Sequence, residues 1–415
     1  MKVISSQICG CIICIILFFE TNAQVIEKLR INPAISYGGN ASEYIKTIEY
    51  IPLETTKESL FGAVSEMLIT DSSFIISDLD TKALLFFTRS GRFLQKIKGK
   101  IVYPSAWLDK KSNTILVCNT FPLTDPHSIP CIRYSLSGKK LQSLSLTRNE
   151  LDLIRGIDLG NEYTVTRTNY DLPVDGKIKD TTLFLISTYK GGSLYKRIFP
   201  FNTLEHQLFF KQNRSLNIGS MSENGSVYVV TPFDHFLYKV SKDKVTPMYQ
   251  FVFPANRTLP RGIIESKDSR VIDSVQKILA HDQNIIVNVK NIIFNGKKMY
   301  FNAGVSVYPY SDLGSGGSNQ FNFIYDLNSG KLTSFERFTP DSTTCYLPFT
   351  SLRSRYWGMD YFDGFFYTNI SSLNIFAAKG ATKSKNPNYP PVLQEYFNTQ
   401  NSRSNPVIVK MKLKE

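Results

Sequence analysis

The sequence predicts an all-β fold built from repeated four-stranded antiparallel units, and three observations lead to this prediction. Residues 65–97 contain four short apolar segments separated by turn-forming residues, and these segments are too short for helices but rich in β-branched and aromatic residues. The same pattern recurs along the chain at a spacing of about fifty residues. A lone strand at residues 44–53 precedes the first unit. Together these features predict a six-bladed β-propeller, closed by the N-terminal strand, with small helical insertions on one face.

Residues 1–23 have the composition of a secretory signal peptide. Lys2 precedes an apolar run at residues 8–19, and the small residues Thr21 and Ala23 predict cleavage before Gln24. A membrane anchor is the weaker alternative, because about 12 apolar residues are too few to span a bilayer core of roughly 30 Å. The cysteines of this segment lack the lead-in of a lipoprotein signal. We therefore expect export to the periplasm or the cell surface rather than lipid anchoring.

The mature chain is predicted to begin with an extended lead-in and to continue as one propeller domain. Residues 24–43 show no clear periodicity, whereas residues 44–53 alternate like a strand and end at Pro52. This strand has no hairpin partner beside it in the sequence. We expect it to complete the last unit next to the C-terminal strand, which would remove two open sheet edges. The predicted domain therefore spans residues 44–415.

The other five units follow the same arrangement of four strands. Their strands are predicted at residues 104–108, 114–119, 131–136 and 140–146 in the second unit; 153–159, 163–167, 182–189 and 194–199 in the third; 215–221, 227–231, 235–240 and 245–253 in the fourth; 287–294, 298–302, 321–326 and 332–338 in the fifth; and 356–362, 365–370 and 406–412 in the sixth. Two insertions, residues 260–282 and 391–400, have apolar residues at helical spacing, and Ser266 or Asp268 is the expected cap of the first.

Several short stretches resemble a known family. They are the run IPLET at residues 51–55, the pair Asp78 and Asp80 before an apolar strand, the repeated Ser-Gly turns and the terminal NPVIVKMKLK. With these the sequence resembles the six-bladed β-propeller family, related to NHL-type propellers, that is common in exported proteins of Gram-negative gut anaerobes. The resemblance covers residues 45–414 and implies architecture and export. It implies no catalytic residues. Many members of the family look like lipoproteins, and this chain differs from them because its N-terminal cysteines lack the lipoprotein lead-in.

The chain is basic, and this property limits the classes of partner. Its 415 residues carry a formal net charge of +13, but the Lys and Arg residues are scattered and form no long run. A nucleic-acid partner is therefore not expected for an exported protein. The charge predicts either a solvated basic surface or attraction to anionic envelope polymers and acidic glycans.

Three cysteines remain after removal of the leader: Cys118, Cys131 and Cys345. An odd number argues against a disulfide framework. Cys118 and Cys131 fall on strands predicted to be neighbours in the second unit, so a disulfide between them is expected in an oxidising compartment. Two buried free thiols are the alternative.

Nearly all long connections of the predicted propeller lie on one face. In a four-stranded unit, the connections between the second and third strands and the connections between successive units lie on the same face. Nearly every long insertion occurs in these connections, so we call this side the long-loop face. We expect the long-loop face to bind the ligand. At the start of the first strands, aromatic and Arg side chains suit sugars or carboxylates by stacking and charge-assisted hydrogen bonds. The alternative is packing between units or pairing with carboxylates. The candidate ligand-binding residues are Trp107, Arg155, Arg353, Arg355, Tyr356 and Trp357.

The sequence contains no catalytic or metal-binding motif. The four histidines have no ligand spacing, no Gly-x-Ser-x-Gly elbow occurs, and Asp78 with Asp80 is better explained as a turn than as a calcium loop. No metal or cofactor is therefore predicted. The leading prediction is a monomeric, exported, non-catalytic binding or scaffold protein for a glycan, peptide or envelope component, with an anionic ligand favoured. The alternative is a propeller hydrolase or lyase acting on a carbohydrate in the central mouth.

Overall fold

Six separate β-sheets make up most of the described part of the chain. The computed structural model describes residues 26–78, 80–98, 105–118, 128–168, 170, 179–212, 217–222, 225–282, 284–305, 320–350 and 359–414. The predicted signal peptide, residues 1–23, lies outside these ranges. No helix in the described ranges is long and apolar enough to cross a membrane.

The first half of the chain forms three N-terminal strands and three four-stranded sheets. The N-terminal strands are β1 (Glu27–Arg30), β2 (Tyr37–Asn40) and β3 (Ile45–Pro52). Sheet 1 contains β4 (Glu66–Ile69), β5 (Ser73–Asp78), β6 (Ala83–Thr88) and β7 (Phe93–Lys98). Sheet 2 contains β8 (Ser105–Asp109), β9 (Thr114–Cys118), β10 (Ile129–Tyr134) and β11 (Lys140–Leu146). Sheet 3 contains β12 (Ile157–Gly160), β13 (Tyr163–Arg167), β14 (Thr182–Lys190) and β15 (Ser193–Asn202).

The second half forms three more sheets, each of which takes one N-terminal strand onto its outer edge. Sheet 4 contains β16 (Asn217–Ser222), β17 (Ser226–Val230), β18 (Phe236–Val240), β19 (Val245–Val252) and β1. Sheet 5 contains β20 (Ile286–Asn295), β21 (Lys298–Val305), β22 (Gln320–Asp326), β23 (Leu332–Thr339) and β2. Sheet 6 contains β24 (Asp360–Phe362), β25 (Phe365–Ile370), β26 (Val407–Leu413) and β3.

The N-terminal strands pair in two different ways. Strand β3 runs antiparallel to β26, with Tyr50 opposite Val409, which is the pairing expected for residues 44–53 and 406–412. Strands β1 and β2 pair in parallel with β19 and β23. The sequence predicts only an extended lead-in here, because four-residue strands are too short to show alternation. The N-terminus thus covers the outer edges of three consecutive sheets.

Neighbouring sheets share apolar clusters, so the strands between them are buried on both faces. Strand β5 of sheet 1 is buried along its whole length because sheets 2 and 6 both pack against sheet 1. Ring contacts between sheets are Phe74 with Tyr367 (sheets 1 and 6), Phe251 with Phe301 (4 and 5), and Tyr300 with Phe366 (5 and 6). Shared clusters contain Phe86 and Ile115 (sheets 1 and 2) and Val165 and Val227 (3 and 4). Between sheets 2 and 3 a helix takes part in the packing.

Gly91 shows how closely sheet 1 approaches sheet 6. It has φ +86° in the turn between β6 and β7, and an added Cβ would lie 2.2 Å from the carbonyl oxygen of Pro52, at the end of β3. The backbone carbonyl of Gly91 also accepts a hydrogen bond of 2.9 Å from the Glu54 amide. Only glycine permits both this dihedral angle and this contact.

Seven α-helices lie in the connections of the described chain. They are α1 (Ala41–Tyr44), α2 (Arg148–Arg155), α3 (Gln207–Gln212), α4 (Arg261–Ile264), α5 (Ser269–His281), α6 (Ser372–Ala381) and α7 (Pro391–Thr399). The two predicted helical insertions are confirmed as α4 with α5 and as α7. Asp268 caps α5 by accepting a hydrogen bond from the Arg270 amide. Helix α6 was not predicted.

Helix α2 corrects one predicted element. Residues 153–159 were expected to form the first strand of the third unit, but the helix runs through Arg155 and the strand begins only at Ile157. The physical reason is a capping box, in which Thr147 and Glu150 satisfy the first free amides of the helix reciprocally. Leu151, on the apolar face of the helix, is buried in an apolar cluster. A Thr-x-x-Glu signal therefore outweighs the short apolar run that follows it.

Candidate functional site

Residues from the first strands of four different sheets line one cavity of about 390 Å³. We call it the first-strand cavity and define it by its polar and aromatic lining residues Ser65, Glu66, Ser77, Trp107, Lys290, Asn291 and Asp360. Ser65 directly precedes β4, Glu66 and Ser77 lie in β4 and β5 of sheet 1, and the others come from β8, β20 and β24 of sheets 2, 5 and 6. Glu66 and Asp360 are the first residues of their strands. Residues far apart in the sequence thus meet in one place.

A β-bulge on strand β20 directs two side chains to the cavity. The register between β20 and β21 shifts between Lys290 and Ile293, and Asn291 has φ 55°, in the left-handed region. Asn tolerates this region better than most residues, and bulges of this kind turn side chains out of the regular alternation. The amide nitrogen Nδ2 of Asn291 donates a 2.6 Å hydrogen bond to Oδ1 of Asn302. The cavity therefore receives Lys290 and Asn291 on a fixed piece of backbone.

Lys290 and Asp360 perturb each other's ionisation. Burial raises the pKa of Asp360 to about 8, although Lys290 acts to lower it, and nearby Glu66 raises it further. Burial lowers the pKa of Lys290 to about 8, although Asp360 acts to raise it. Oδ2 of Asp360 is buried and has no hydrogen-bond partner among the described residues. At neutral pH the arrangement thus favours a protonated carboxyl group, able to donate a hydrogen bond, beside an ammonium group.

Trp107 and Arg155 form a stacked pair at this cavity. The guanidinium carbon of Arg155, in the last turn of α2, lies 4.0 Å from the centroid of the Trp107 ring. Removal from water lowers the pKa of Arg155 to about 10, while Glu66 is among the acidic groups that raise it. The guanidinium therefore stays charged at neutral pH. The electrostatic link to Glu66 and the stacking on Trp107 tie helix α2 to the lining of the cavity.

Two of the six predicted ligand-binding residues can be placed. Trp107 lines the cavity, and Arg155 stacks on the Trp107 ring. Arg155 reaches this position from a helix rather than from the predicted strand. Arg353, Arg355, Tyr356 and Trp357 lie outside the described residues, as do large parts of the long connections.

Sequence reasoning missed Glu66, Lys290, Asn291 and Asp360. Glu66 carried a usable signal, because it is an acidic residue at the start of a predicted first strand, whereas Asp360 lay late in the strand predicted at residues 356–362 and carried none. Lys290 and Asn291 lay within a predicted strand, where regular alternation gives no sign of a bulge. Only the fold brings these residues to the same cavity.

Cys118 and Cys131 are joined by a disulfide in the structure. They are directly opposite each other on strands β9 and β10, and both side chains are buried. Cys345 is a free thiol whose Sγ lies 3.3 Å from the carbonyl oxygen of Asn388. Burial raises the pKa of this thiol. The disulfide therefore belongs to the framework of sheet 2.

The first-strand cavity combines groups that suit recognition of a small polar molecule. It offers an aromatic ring, an amide, hydroxyl groups, a cation and two carboxyl groups. Its volume falls in the range of roughly 300–1,000 Å³ that is typical of small-molecule sites. Among the residues that the structure describes, no three His, Cys, Asp or Glu side chains are grouped so that they could hold a metal ion.

The chain is similar to several solved structures, of which the first supports the fold. A candidate exported protein from Bacteroides fragilis is 15% identical, with a TM-score of 0.61 over 93% of this chain and 99% of that chain. A member of the duf4221 family from Bacteroides vulgatus is 9% identical, with a TM-score of 0.44 over 89% of this chain and 98% of that one. The WD40 domain of Neurospora crassa Pan2 is 10% identical, with a TM-score of 0.29 over 72% and 76%.

The sequence itself gives a more direct relation. No curated protein matches the chain. One family model, however, matches residues 28–412, which include all of the described strands except the ends of β1 and β26. The chain therefore belongs to the family described as a domain of unknown function, DUF4934.

Proposed function

We propose that the protein is an exported binding protein whose six sheets close into a six-bladed propeller, with the first-strand cavity as its ligand site. One observation carries this proposal: first strands of sheets 1, 2, 5 and 6 contribute to a single cavity. The pairing of β3 with β26 and the apolar contacts between sheets 6 and 1 support closure. The candidate exported protein from Bacteroides fragilis, which matches over 93% of this chain, supports export and a single domain over residues 44–415.

The proposed ligand is a glycan, or a peptide or envelope component with similar groups. Trp107 offers a flat ring of the kind on which sugar rings stack, and Asn291 with Lys290 offers hydrogen-bond donors. The protonated form of Asp360 adds a donor at neutral pH. Arg155 and Lys290 favour an acidic sugar, whereas Glu66 opposes one. This mixed charge differs from the lining of Arg and aromatic residues expected from the sequence.

A second candidate function is carbohydrate cleavage by a hydrolase or lyase. The observation that favours it is a pair of carboxyl groups, Glu66 and Asp360, on one cavity, with the pKa of Asp360 raised to about 8. Glycoside cleavage uses two carboxyl groups in different protonation states, one as proton donor and one as base or nucleophile. In this scheme Asp360 is the proton donor and Glu66 the second group.

A binding screen followed by a turnover assay distinguishes the two candidates. The mature protein is tested on glycan and peptide arrays, and each hit is incubated with wild type and with Asp360→Asn. Binding without product by either protein supports the binding role. Product formed by the wild type and reduced by at least a thousandfold in Asp360→Asn supports the enzyme. The absence of any hit whose binding depends on the cavity residues contradicts both.

A further inference from the structure

A second cavity, of about 200 Å³, lies between sheets 5 and 6. We call it the lysine cleft and define it by Tyr44, Lys298, Tyr300, Asp326, Lys331, Phe366 and Lys414. It also reaches Ile293 and Asn295, at the end of β20, whereas the first-strand cavity is lined by the earlier β20 residues Lys290 and Asn291. The cleft is thus a separate site, and its role is independent of the function proposed above.

Positive charge dominates the described lining of this cleft. Lys298, Lys331 and Lys414 contribute three ammonium groups, and Asp326 contributes the one carboxylate. Oδ1 of Asp326 already accepts hydrogen bonds of 3.0 and 2.9 Å from the amides of Asn328 and Ser329. These bonds and nearby Lys298 lower the pKa of Asp326. Its charge is therefore largely committed to the turn between β22 and β23.

Each of the three ammonium groups donates to a neutral oxygen in the structure. Nζ of Lys298 lies 3.3 Å from the carbonyl oxygen of Lys414, and Nζ of Lys414 lies 2.6 Å from that of Ser42. Nζ of Lys331 lies 3.4 Å from the Tyr44 hydroxyl and 5.8 Å from the centroid of the Tyr44 ring. An ammonium group has three donor hydrogens, so each lysine retains capacity for a further acceptor. Each ammonium group can therefore also donate to an anion in the cleft.

The floor of the lysine cleft is apolar. Ile293, Ile324, Phe366 and Leu413 are buried there, and the ring of Tyr300 lies among them with its hydroxyl bonded to Asn322. A bare inorganic anion would leave this floor unfilled. An apolar cavity of about 150 Å³ is enough to admit benzene. The size of the cleft therefore suits one ring or a short chain that carries an acidic group.

We propose that the lysine cleft binds a small amphipathic organic anion, with its carboxylate, phosphate or sulfate among Lys298, Lys331 and Lys414 and its apolar body on Phe366 and Tyr300. Charge-assisted hydrogen bonds from the ammonium groups hold the acidic group. Burial of the body against the floor adds affinity that the acidic group alone lacks.

Titration calorimetry of the full mature protein tests this assignment. The probes are benzoate, hexanoate and phenyl phosphate. Two control compounds are benzyl alcohol, which lacks the negative charge, and inorganic phosphate, which lacks the apolar body. We expect at least one organic anion to bind at least tenfold more tightly than both control compounds. Lys298→Gln should weaken that binding by about tenfold. The matched control Lys110→Gln, in the turn between β8 and β9, should leave it unchanged.

Any one of several results would overturn the assignment. They are the absence of binding by all three organic anions, equal binding of benzyl alcohol, and equal affinity of Lys298→Gln and wild type. Equal binding of inorganic phosphate would also contradict a role for the apolar floor. Thermal unfolding of Lys298→Gln provides the folding check, and Lys331→Gln provides a second variant. Asp360→Asn, which alters the first-strand cavity, should bind the organic anion normally, so failure here is distinct from failure of the proposed function.

Discussion

At the scale of single residues, Asp360 and Lys290 share one cavity, so the charge of each depends on that of the other. The folded protein holds the proton on Asp360 more tightly than the unfolded chain does, because the pKa rises from 3.8 to about 8. The stability that this proton contributes is fully present below the unfolded pKa. It is lost as the pH rises toward the folded pKa.

The first prediction concerns the pH dependence of Asp360→Asn. The free energy of unfolding of wild type, relative to this variant, should fall by at least ~1.4 kcal/mol between about pH 5 and about pH 8.5. Urea denaturation at both pH values measures the difference. Asp71→Asn, at an exposed turn position between β4 and β5, is the control and should follow the wild type. Parallel pH profiles of wild type and Asp360→Asn would contradict the assigned ionisation.

The sequence identified some cavity residues but not others. Trp107, which lines the cavity, was a candidate because a large aromatic residue in a predicted first strand is recognisable in the sequence. Arg155 was also a candidate, but it reaches the Trp107 ring from helix α2, and the ligand-binding role of both residues stays a prediction. Lys290 and Asn291 could not be predicted, since their direction depends on a bulge and a positive φ angle that a single sequence does not reveal. The pairing of Asp360 with Lys290 depends on contact between two sheets, which strand patterns alone do not specify.

At the scale of elements, most strands followed from alternation and turn residues, and helix α2 shows where this reasoning failed. The capping box of Thr147 and Glu150 was present in the sequence, but the apolar residues that follow it also fit a short strand. Local signals for helix and strand overlapped, and burial of Leu151 in the apolar cluster of sheet 2 favours the helix. The parallel strands β1 and β2 had no local signal, because they depend on the exposed edges of sheets 4 and 5.

The second prediction concerns the disulfide between β9 and β10. Cys118 and Cys131 are 13 residues apart. On the chain-entropy model, replacing both with Ala should lower the free energy of unfolding by ~2–3 kcal/mol. Cys345→Ala, which leaves the disulfide intact, should retain most of the stability. Denaturation measures the effect, and mass spectrometry of protein from the periplasm should detect the bridge. Free thiols at both positions would contradict this prediction.

At the scale of the whole molecule, the N-terminal strands hold the two ends of the chain together. Strand β3 completes sheet 6, and Asn405, just before β26, donates a 2.8 Å hydrogen bond to the carbonyl oxygen of Glu54, just after β3. Six four-stranded units could be predicted from the recurrence of the strand pattern. Closure of the sheets into one ring, and the NHL-type relationship, remain predictions.

The third prediction is that removal of β1, β2 and β3 destabilises the entire domain. A mature chain lacking residues 24–53 exposes the outer strands of sheets 4, 5 and 6, so we expect loss of the cooperative thermal transition. A chain lacking only residues 24–43 retains β3 and should unfold cooperatively at a lower temperature. Circular dichroism melting compares the two. A melting temperature of the larger deletion equal to that of the full mature chain would refute the predicted closure by β3.

The most direct test of the first-strand cavity as the ligand site is calorimetry with the strongest hit from the glycan and peptide screen. Arg155→Ala removes the guanidinium that stacks on Trp107, and Arg148→Ala, at the start of the same helix, is the matched control. We predict that Arg155→Ala weakens binding by at least tenfold while its melting temperature stays close to that of wild type, and that Arg148→Ala binds normally. Equal affinity of wild type and Arg155→Ala would contradict the assignment, because it would mean that the ligand binds elsewhere.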